Sequence, residues 1–336
     1  MGPCAVRQLT DAMTQDAAEN TTTNPTTTPG TASGPATNTS HTSSTSDTPD
    51  TPDTPDASNM TDASNTTVVV TGATGRTGGR VALAARAAGL KVRAASRATG
   101  FDWRDRSTWA ETLRGADAAY LAFPTDVGSP EATRAIGEIS REAVALGVRR
   151  LVLLSARGEK RARPTEEALR ESGADWTVVQ ASWFAQNFSE GPLVEELRLS
   201  GGLVFPAAEG VREPFIDVRD IADVVVAALT SGDRYVRREI DVTGPRLVAW
   251  GEAVAEIAAA SGRELSYRTV SASEYREHLV VFGVPGEEAD FLVELFEELL
   301  DGHNAQLTDG VRQVLGREPR DFAEFAKEAA AAGTWA

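Results

Sequence analysis

Residues 68–89 read VVVTGATGRTGGRVALAARAAG. The three β-branched residues Val68 to Val70 suit a strand buried on both faces of a parallel sheet. The Ala-rich half suits a helix whose inner face carries Val81, Leu83, Ala84 and Ala88. Between them glycines recur at 72, 75 and 78, each with its own task. Gly72 lets the chain turn off the strand, Gly75 lets the backbone approach a pyrophosphate, and Gly78 lets the helix pack near the sheet. The free N–H groups and partial positive charge at the helix start suit a diphosphate. A glycine triplet alone is a weak signal. A strand before it and a helix after it supply the context of a dinucleotide site. The cofactor-binding set therefore takes Gly72, Thr74, Gly75, Arg76, Thr77 and Gly78 from this loop.

Outward from this unit, strands and helices alternate to about residue 180. LKVRAAS (90–96) reads as a second strand whose end carries Ser96 and Arg97. An acid there would bind the ribose 2′-hydroxyl of NAD, whereas a basic residue suits the 2′-phosphate of NADP. Arg76 is placed to reach the same phosphate with its forked guanidinium; two solvated arginines are the plainer alternative. Phe101-Asp102 reads as a short third strand and Ser107 as a helix N-cap. Asp102 can meet the adenine amino group and Trp103 can offer it a face, with local packing and capping as the alternative. ADAAYLAF (116–123) is a fourth strand running into Phe123-Pro124-Thr125-Asp126. Ligands of open parallel sheets bind outside the carboxyl ends of strands, so Phe123 and Pro124 are expected to line the cofactor groove.

Residues 129–147 form a helix with Ser129 as N-cap, Pro130 at its first position and Gly147 after its last turn. A fifth strand in 148–160 brings Ser155 to the crevice, to orient a carboxamide or substrate atom or else to cap the next segment. A sixth strand begins at 174 and runs into the aromatic turn Trp183-Phe184-Ala185-Gln186-Asn187-Phe188. Beyond 191 come a helix over 219–232, a last sheet strand over 238–245, and helices over 249–262, 273–283 and 287–302. The last of these puts Phe291, Leu292, Leu295, Phe296, Leu299 and Leu300 on one face with acids opposite, the pattern of a lid helix over the sheet. The expected architecture is α/β. It is a Rossmann-like doubly wound parallel sheet (66–190) followed by a smaller, mostly helical C-terminal substrate lobe with the last sheet strands (191–336).

The first 65 residues differ in kind. They are rich in Thr, Ser, Pro, Asn and Asp, carry three consecutive TPD triplets at 48–56, and hold one Arg against eight acids. Such a segment buries too little apolar surface to offset the entropy of ordering, so a disordered N-terminal tail is expected. No basic stretch leads into an apolar run, and Met60 stands just before the folded part, so an appended arm or an upstream start both remain open. The net charge of −16 disfavours nucleic acid and anionic membranes as partners. No apolar run reaches the length of a membrane span. The single cysteine, Cys4, fits a reducing cytoplasm, and three scattered histidines give no metal cluster. A homodimer or a protein partner stays open.

TGATGRTGGRVA, FDWRDRSTWAETLRGADAAYLAF, GVRRLVLLSARGE and ASWFAQNFSEGPL together resemble NmrA-like atypical short-chain dehydrogenase/reductases. The nearest subgroup is the bacterial relatives of fungal ergot-alkaloid (agroclavine and festuclavine) dehydrogenases. The resemblance covers residue 66 to the C-terminus. It implies NADP(H), with NAD(H) as the lesser cofactor, and hydride transfer to a C=N or related conjugated bond. It also implies that Trp183, Phe184 and Asn187, with Phe123, face the nicotinamide and the substrate. One departure matters. None of Tyr120, Tyr235, Tyr267 and Tyr275 has Lys four residues on, so the phenolic acid of the main dehydrogenase family is missing in that form. The expected activity is reduction of a small iminium, quinone or azo substrate by NADPH, with a non-catalytic NADP(H)-sensing regulator as the alternative.

Overall fold

The computed structural model describes residues 65–336; the tail expected to be disordered lies outside the described residues, as does Cys4. Strand β1 (Thr67–Thr71) leads through the glycine loop into α1 (Arg76–Ala87) and back to β2 (Lys91–Ala95). A short helix α2 (Trp109–Leu113) precedes β3 (Ala118–Leu121), and α3 (Pro130–Ala145) connects to β4 (Arg150–Ala156). Then come α4 (Arg163–Arg170) and β5 (Asp175–Ala181). The C-terminal half contributes α5 (Pro192–Ser200), β6 (Gly202–Phe205), β7 (Arg212–Glu213), α6 (Val218–Thr230) and β8 (Arg238–Val242). It continues with β9 (Val248–Ala249), α7 (Trp250–Ser261), β10 (Ser266–Thr269), α8 (Ala272–Val281) and α9 (Gly286–Leu299). Helices α10 (Gly310–Leu315) and α11 (Phe322–Ala331) close the chain.

Six strands form one parallel sheet in the order β2-β1-β3-β4-β5-β8. The chain leaves β1 for β2 on one side, then crosses to β3 on the other. The switch point of the sheet therefore lies at the carboxyl ends of β1 and β3, where a crevice opens. Successive side chains of a strand point to opposite faces. Val68 and Val70 accordingly pack under α1 and α6 with Val81, Ala85, Ile221 and Val225, while Val69 joins Ile136, Ile139 and Leu169 of α3 and α4. A separate core fills the C-terminal lobe, with Trp250, Phe205, Phe215, Phe296 and Phe322 fully buried. Two minor sheets belong to this half: β6 with β10 in parallel, and β7 with β9 antiparallel.

Three expectations are corrected. Phe101-Asp102 adds no strand to the sheet; Asp102 makes only an isolated bridge to Asp105. The reason is local, because Asp102 gives its N–H to Thr108 Oγ1 and its carbonyl to the N–H of Asp105 and to Trp109 Nε1, leaving its own backbone nothing to pair with β2. Asp105, not Ser107, caps the turn before α2, accepting from Ser107 N at 3.0 Å. The inner face of α1 is Gly78, Val81, Ala82 and Ala85, while Leu83 is 68% exposed. A 3.6-residue repeat started one position off selects the wrong stripe of an alanine-rich helix.

Helix α3 is capped as read, with Ser129 Oγ accepting from Ala132 N at 3.1 Å and Pro130 in its first turn. The lid helix α9 buries Leu292, Leu295, Phe296 and Leu299 in the lobe core. Glu298 of this helix reaches Arg161, just past the carboxyl end of β4, at 3.2 Å. No helix among the described residues is long and apolar enough to cross a membrane.

Candidate active site at the carboxyl ends of the sheet

The glycine loop is built as its spacing requires. Gly72 has φ +63°, a region that only glycine enters without strain, and its carbonyl accepts from Gly75 N at 2.7 Å. A β-carbon on Gly78 would lie 2.3 Å from the carbonyl oxygen of Gly72, so the first turn of α1 rests directly on the end of β1. Helices α3, α6 and α11 cap their own first turns with Ser129, Asp217 and Asp321. Helix α1 starts at Gly75 with no side-chain cap and no acid in its first turn. An uncapped, Cβ-free helix start at the switch point fits an incoming diphosphate.

Beside this loop lies a groove of about 420 Å³. It brings together seven of the predicted residues: Gly72, Thr74, Ser96, Arg97, Asp102, Trp103 and Pro124. Arg104 also lines it and was missed by the sequence reading. Its sole signal was proximity to Asp102, whose carboxylate accepts from Arg104 N at 2.9 Å. Trp103 stands edge-on to Phe101 and Phe123, with ring centroids 5.3 and 5.4 Å apart. Phe123 is buried behind Trp103 and supports the wall instead of forming it. The indole nitrogen of Trp103 is buried and has no hydrogen-bond partner. Thr77 sits half-buried in the first turn of α1.

Arg76 is not brought to Arg97. Its Nη1 donates to Asn187 Oδ1 at 2.6 Å, its Nη2 to the carbonyl of Glu190, and Arg80 pairs with the Glu190 carboxylate. The glycine loop is thereby tied to the segment that follows β5. Trp183 is held in the lobe core, 5.0 Å from Trp250 and 6.2 Å from Phe205, and Phe184 lies in the sheet core under α6. Asn187 is buried with its Nδ2 unpartnered. Ser155 is fully buried and donates to Glu166 Oε1 at 2.6 Å, where Gln180 Nε2 also donates at 2.9 Å. The apolar side chain facing the cleft is instead Phe291 of α9, in a 450 Å³ cavity with Thr125, Asp126, Arg161 and Glu288. Thr125 lines both this cavity and the groove beside the glycine loop.

Buried carboxyls are the residues that sequence reasoning missed. Asp126, Glu159 and Glu213 are each at least 96% buried. Burial, followed by the facing Asp126, pushes the Glu159 carboxyl far above the usual range. Burial pushes Glu213 up to about 7, with the Arg157 charge opposing. The signal available was position: Asp126 and Glu159 both follow strands at their carboxyl ends. Tyr267 is no substitute acid, since burial raises it further and its hydroxyl donates to the carbonyl of Ala207.

Fold and site together define a dinucleotide-binding protein of Rossmann type. No protein-family model matches the chain. It is 32% identical over 259 residues to the uncharacterized oxidoreductase YesF of Bacillus subtilis, covering 74% of this chain and 88% of that protein. It is 31% identical over 258 residues to the NAD(P)H azoreductase of Xenophilus azovorans, with 74% and 87% covered. Among solved structures, the triphenylmethane reductase of Citrobacter sp. complexed with NADP(H) superposes with a TM-score of 0.61 at 18% identity, over 79% of this chain and 99% of that one. The negative transcriptional regulator NmrA with NAD gives 0.63 at 16%, over 80% and 96%. These two show the fold. The chain belongs to the NmrA-like family of atypical short-chain dehydrogenase/reductases, a family of NAD(P)H-dependent oxidoreductases.

Proposed function

We propose that the protein is an NADPH-dependent reductase of a small conjugated substrate, a quinone, azo compound or iminium ion, working without a Tyr-x-x-x-Lys pair. The observation that carries this reading is the groove itself, where an uncapped helix start and two arginines, Arg97 and Arg104, flank one cavity. Bound NADPH supplies hydride. The backbone amides of residues 75–78 hold its diphosphate, and Arg97 and Arg104 meet the 2′-phosphate by charge-assisted hydrogen bonds. Trp103 presents a ring to the adenosine. Helix α9 covers the far cavity and brings Phe291 against a flat apolar substrate. Excluding water there strengthens every polar contact inside. The azoreductase relative supports the choice of substrate class.

NADPH oxidation measured against imine, quinone and azo panels tests the reading. Turnover of at least one class, faster with NADPH than with NADH, is expected. Intact NADPH binding with no turnover of any panel would leave the sensing regulator in its place.

A further inference from the structure

Asp126 and Glu159 come from different strand ends and meet inside the protein. Asp126 follows β3 and lines the cavity beneath α9; Glu159 follows β4 and lines a second cavity with Lys160, His303 and Asn304. Asp126 Oδ1 is anchored by Gly128 N at 2.8 Å. Asp126 Oδ2 and both oxygens of Glu159 receive no protein donor, although the two residues are 4% and 3% exposed. Two buried carboxyls can satisfy each other only by sharing a proton, because two facing carboxylates would repel in a medium that cannot screen them. A β-carbon on Gly128 would lie 2.1 Å from Glu159 Oε1, so that carboxyl is seated on the backbone of the loop that carries Asp126.

We infer that this carboxyl pair is the proton donor for the reduction proposed above, with Glu159 storing the proton and Asp126 passing it on to the cavity that it lines. The inference rests on the reductase reading. Hydride arriving at one atom of an azo or quinone group places an electron pair on the conjugated nitrogen or oxygen. That atom takes the proton from Asp126, and Asp126 takes the proton of Glu159. Glu159 is then reprotonated from water in the second cavity. The balance is one hydride from NADPH and one proton from solvent per substrate reduced. An iminium substrate needs the hydride alone, since its nitrogen already bears the positive charge that the incoming pair neutralises.

The charges around the pair favour retention of the proton. Glu298 of α9 raises Glu159 further, and Glu288 of the same helix carries its own raised carboxyl into the cavity. Arg161 spends its guanidinium on Glu294 and Glu298, and Lys160 and His303 sit on the solvent side.

Two measurements on the full chain test this. The first needs no cofactor: the infrared spectrum of the protein in D2O at about pH 8, where Glu213 has ionised, should show un-ionised carboxyl absorption that Glu159→Gln diminishes. The second compares substrates: Glu159→Gln and Asp126→Asn should each cut kcat for azo or quinone substrates roughly 100-fold, the scale of general acid catalysis. Reduction of a permanently charged iminium ion and the Kd for NADPH should change less than about 3-fold. The wild-type rate for proton-requiring substrates should fall at alkaline pH, and the variants should lack that limb. Equal losses on iminium and azo substrates, or a missing carboxyl band, would overturn the pair's role while leaving the reductase intact. A wild-type enzyme that turns over no panel substrate would overturn both. Gln and Asn keep the shape of the neutral acids, so both variants are expected to fold.

Discussion

The Cα of Gly78 sits against the carbonyl of Gly72, with room for a hydrogen and none for a methyl group: a β-carbon would stand 2.3 Å from that oxygen and 2.6 Å from Thr71 O. The contact is backbone on backbone, so no side chain can rotate to relieve it. Gly78→Ala must push α1 off the end of β1, and overpacking of this kind costs about 1–3 kcal/mol. A fall in the thermal midpoint together with at least a 10-fold loss in NADPH affinity is expected by calorimetry. Unchanged affinity would mean that the diphosphate does not rest on this turn.

Arg97 and Arg104 are exposed around the groove, and a 2′-phosphate is the feature that distinguishes NADP from NAD. A hydrogen bond to a charged group contributes about 1.5–3 kcal/mol. Arg97→Ala should therefore raise the Kd for NADPH about 10- to 100-fold and that for NADH less than about 3-fold, with Arg104→Ala acting the same way. Parallel losses for both nucleotides, read by fluorescence titration, would remove the two arginines from the phosphate.

Glu213 makes stability depend on pH. Burial holds its folded-state value at about 7, above the ordinary carboxyl value near 4.3 of an unfolded chain. The folded state keeps a proton that the unfolded state has lost, so the contribution is complete below about pH 4 and disappears as pH rises through 7. The loss is roughly 4 kcal/mol at about 1.4 kcal/mol per unit. Urea midpoints at about pH 5 and about pH 8 should fall farther apart for the wild type than for Glu213→Gln. Identical pH slopes in the two proteins would show that Glu213 is ionised in the fold.

Much of this architecture was legible because it rests on short-range rules. Val68–Val70, the glycines at 72 and 78, and Ser129-Pro130 each act on immediate neighbours, and the structure uses them as their chemistry requires. The third strand misled because Phe101-Asp102 looks extended, while its fate was decided by Thr108 and Trp109 taking its backbone groups. Trp183 and Phe184 misled for another reason. An aromatic pair after a strand reads equally as a pocket wall or a core plug, and only the partners from β6 and α7, distant in sequence, decide for the core. The carboxyl pair was invisible for the same reason, since Asp126 and Glu159 carry no pattern until two crossovers bring their loops together. Arg76 shows the limit most plainly: its distance along the chain from Asn187 is 111 residues, and no spacing rule reaches that far.

That link gives a prediction opposite to the one for Arg97. Arg76 joins the start of α1 to Asn187 and Glu190, and its side chain is only 16% exposed. Removing it leaves the Asn187 carboxamide, already short of a partner at Nδ2, without one at Oδ1 as well. An orphaned buried acceptor costs about 1–3 kcal/mol. Arg76→Ala should therefore lower stability by about that amount and weaken NADPH and NADH by equal factors, because it loosens the loop that both nucleotides share. Asn187→Ala should add little to it in the double variant, since both substitutions break the same bond. Calorimetry on the four proteins of this cycle reads the coupling directly. Additive losses would mean that the two residues act separately, and a selective loss of NADPH would return Arg76 to the 2′-phosphate.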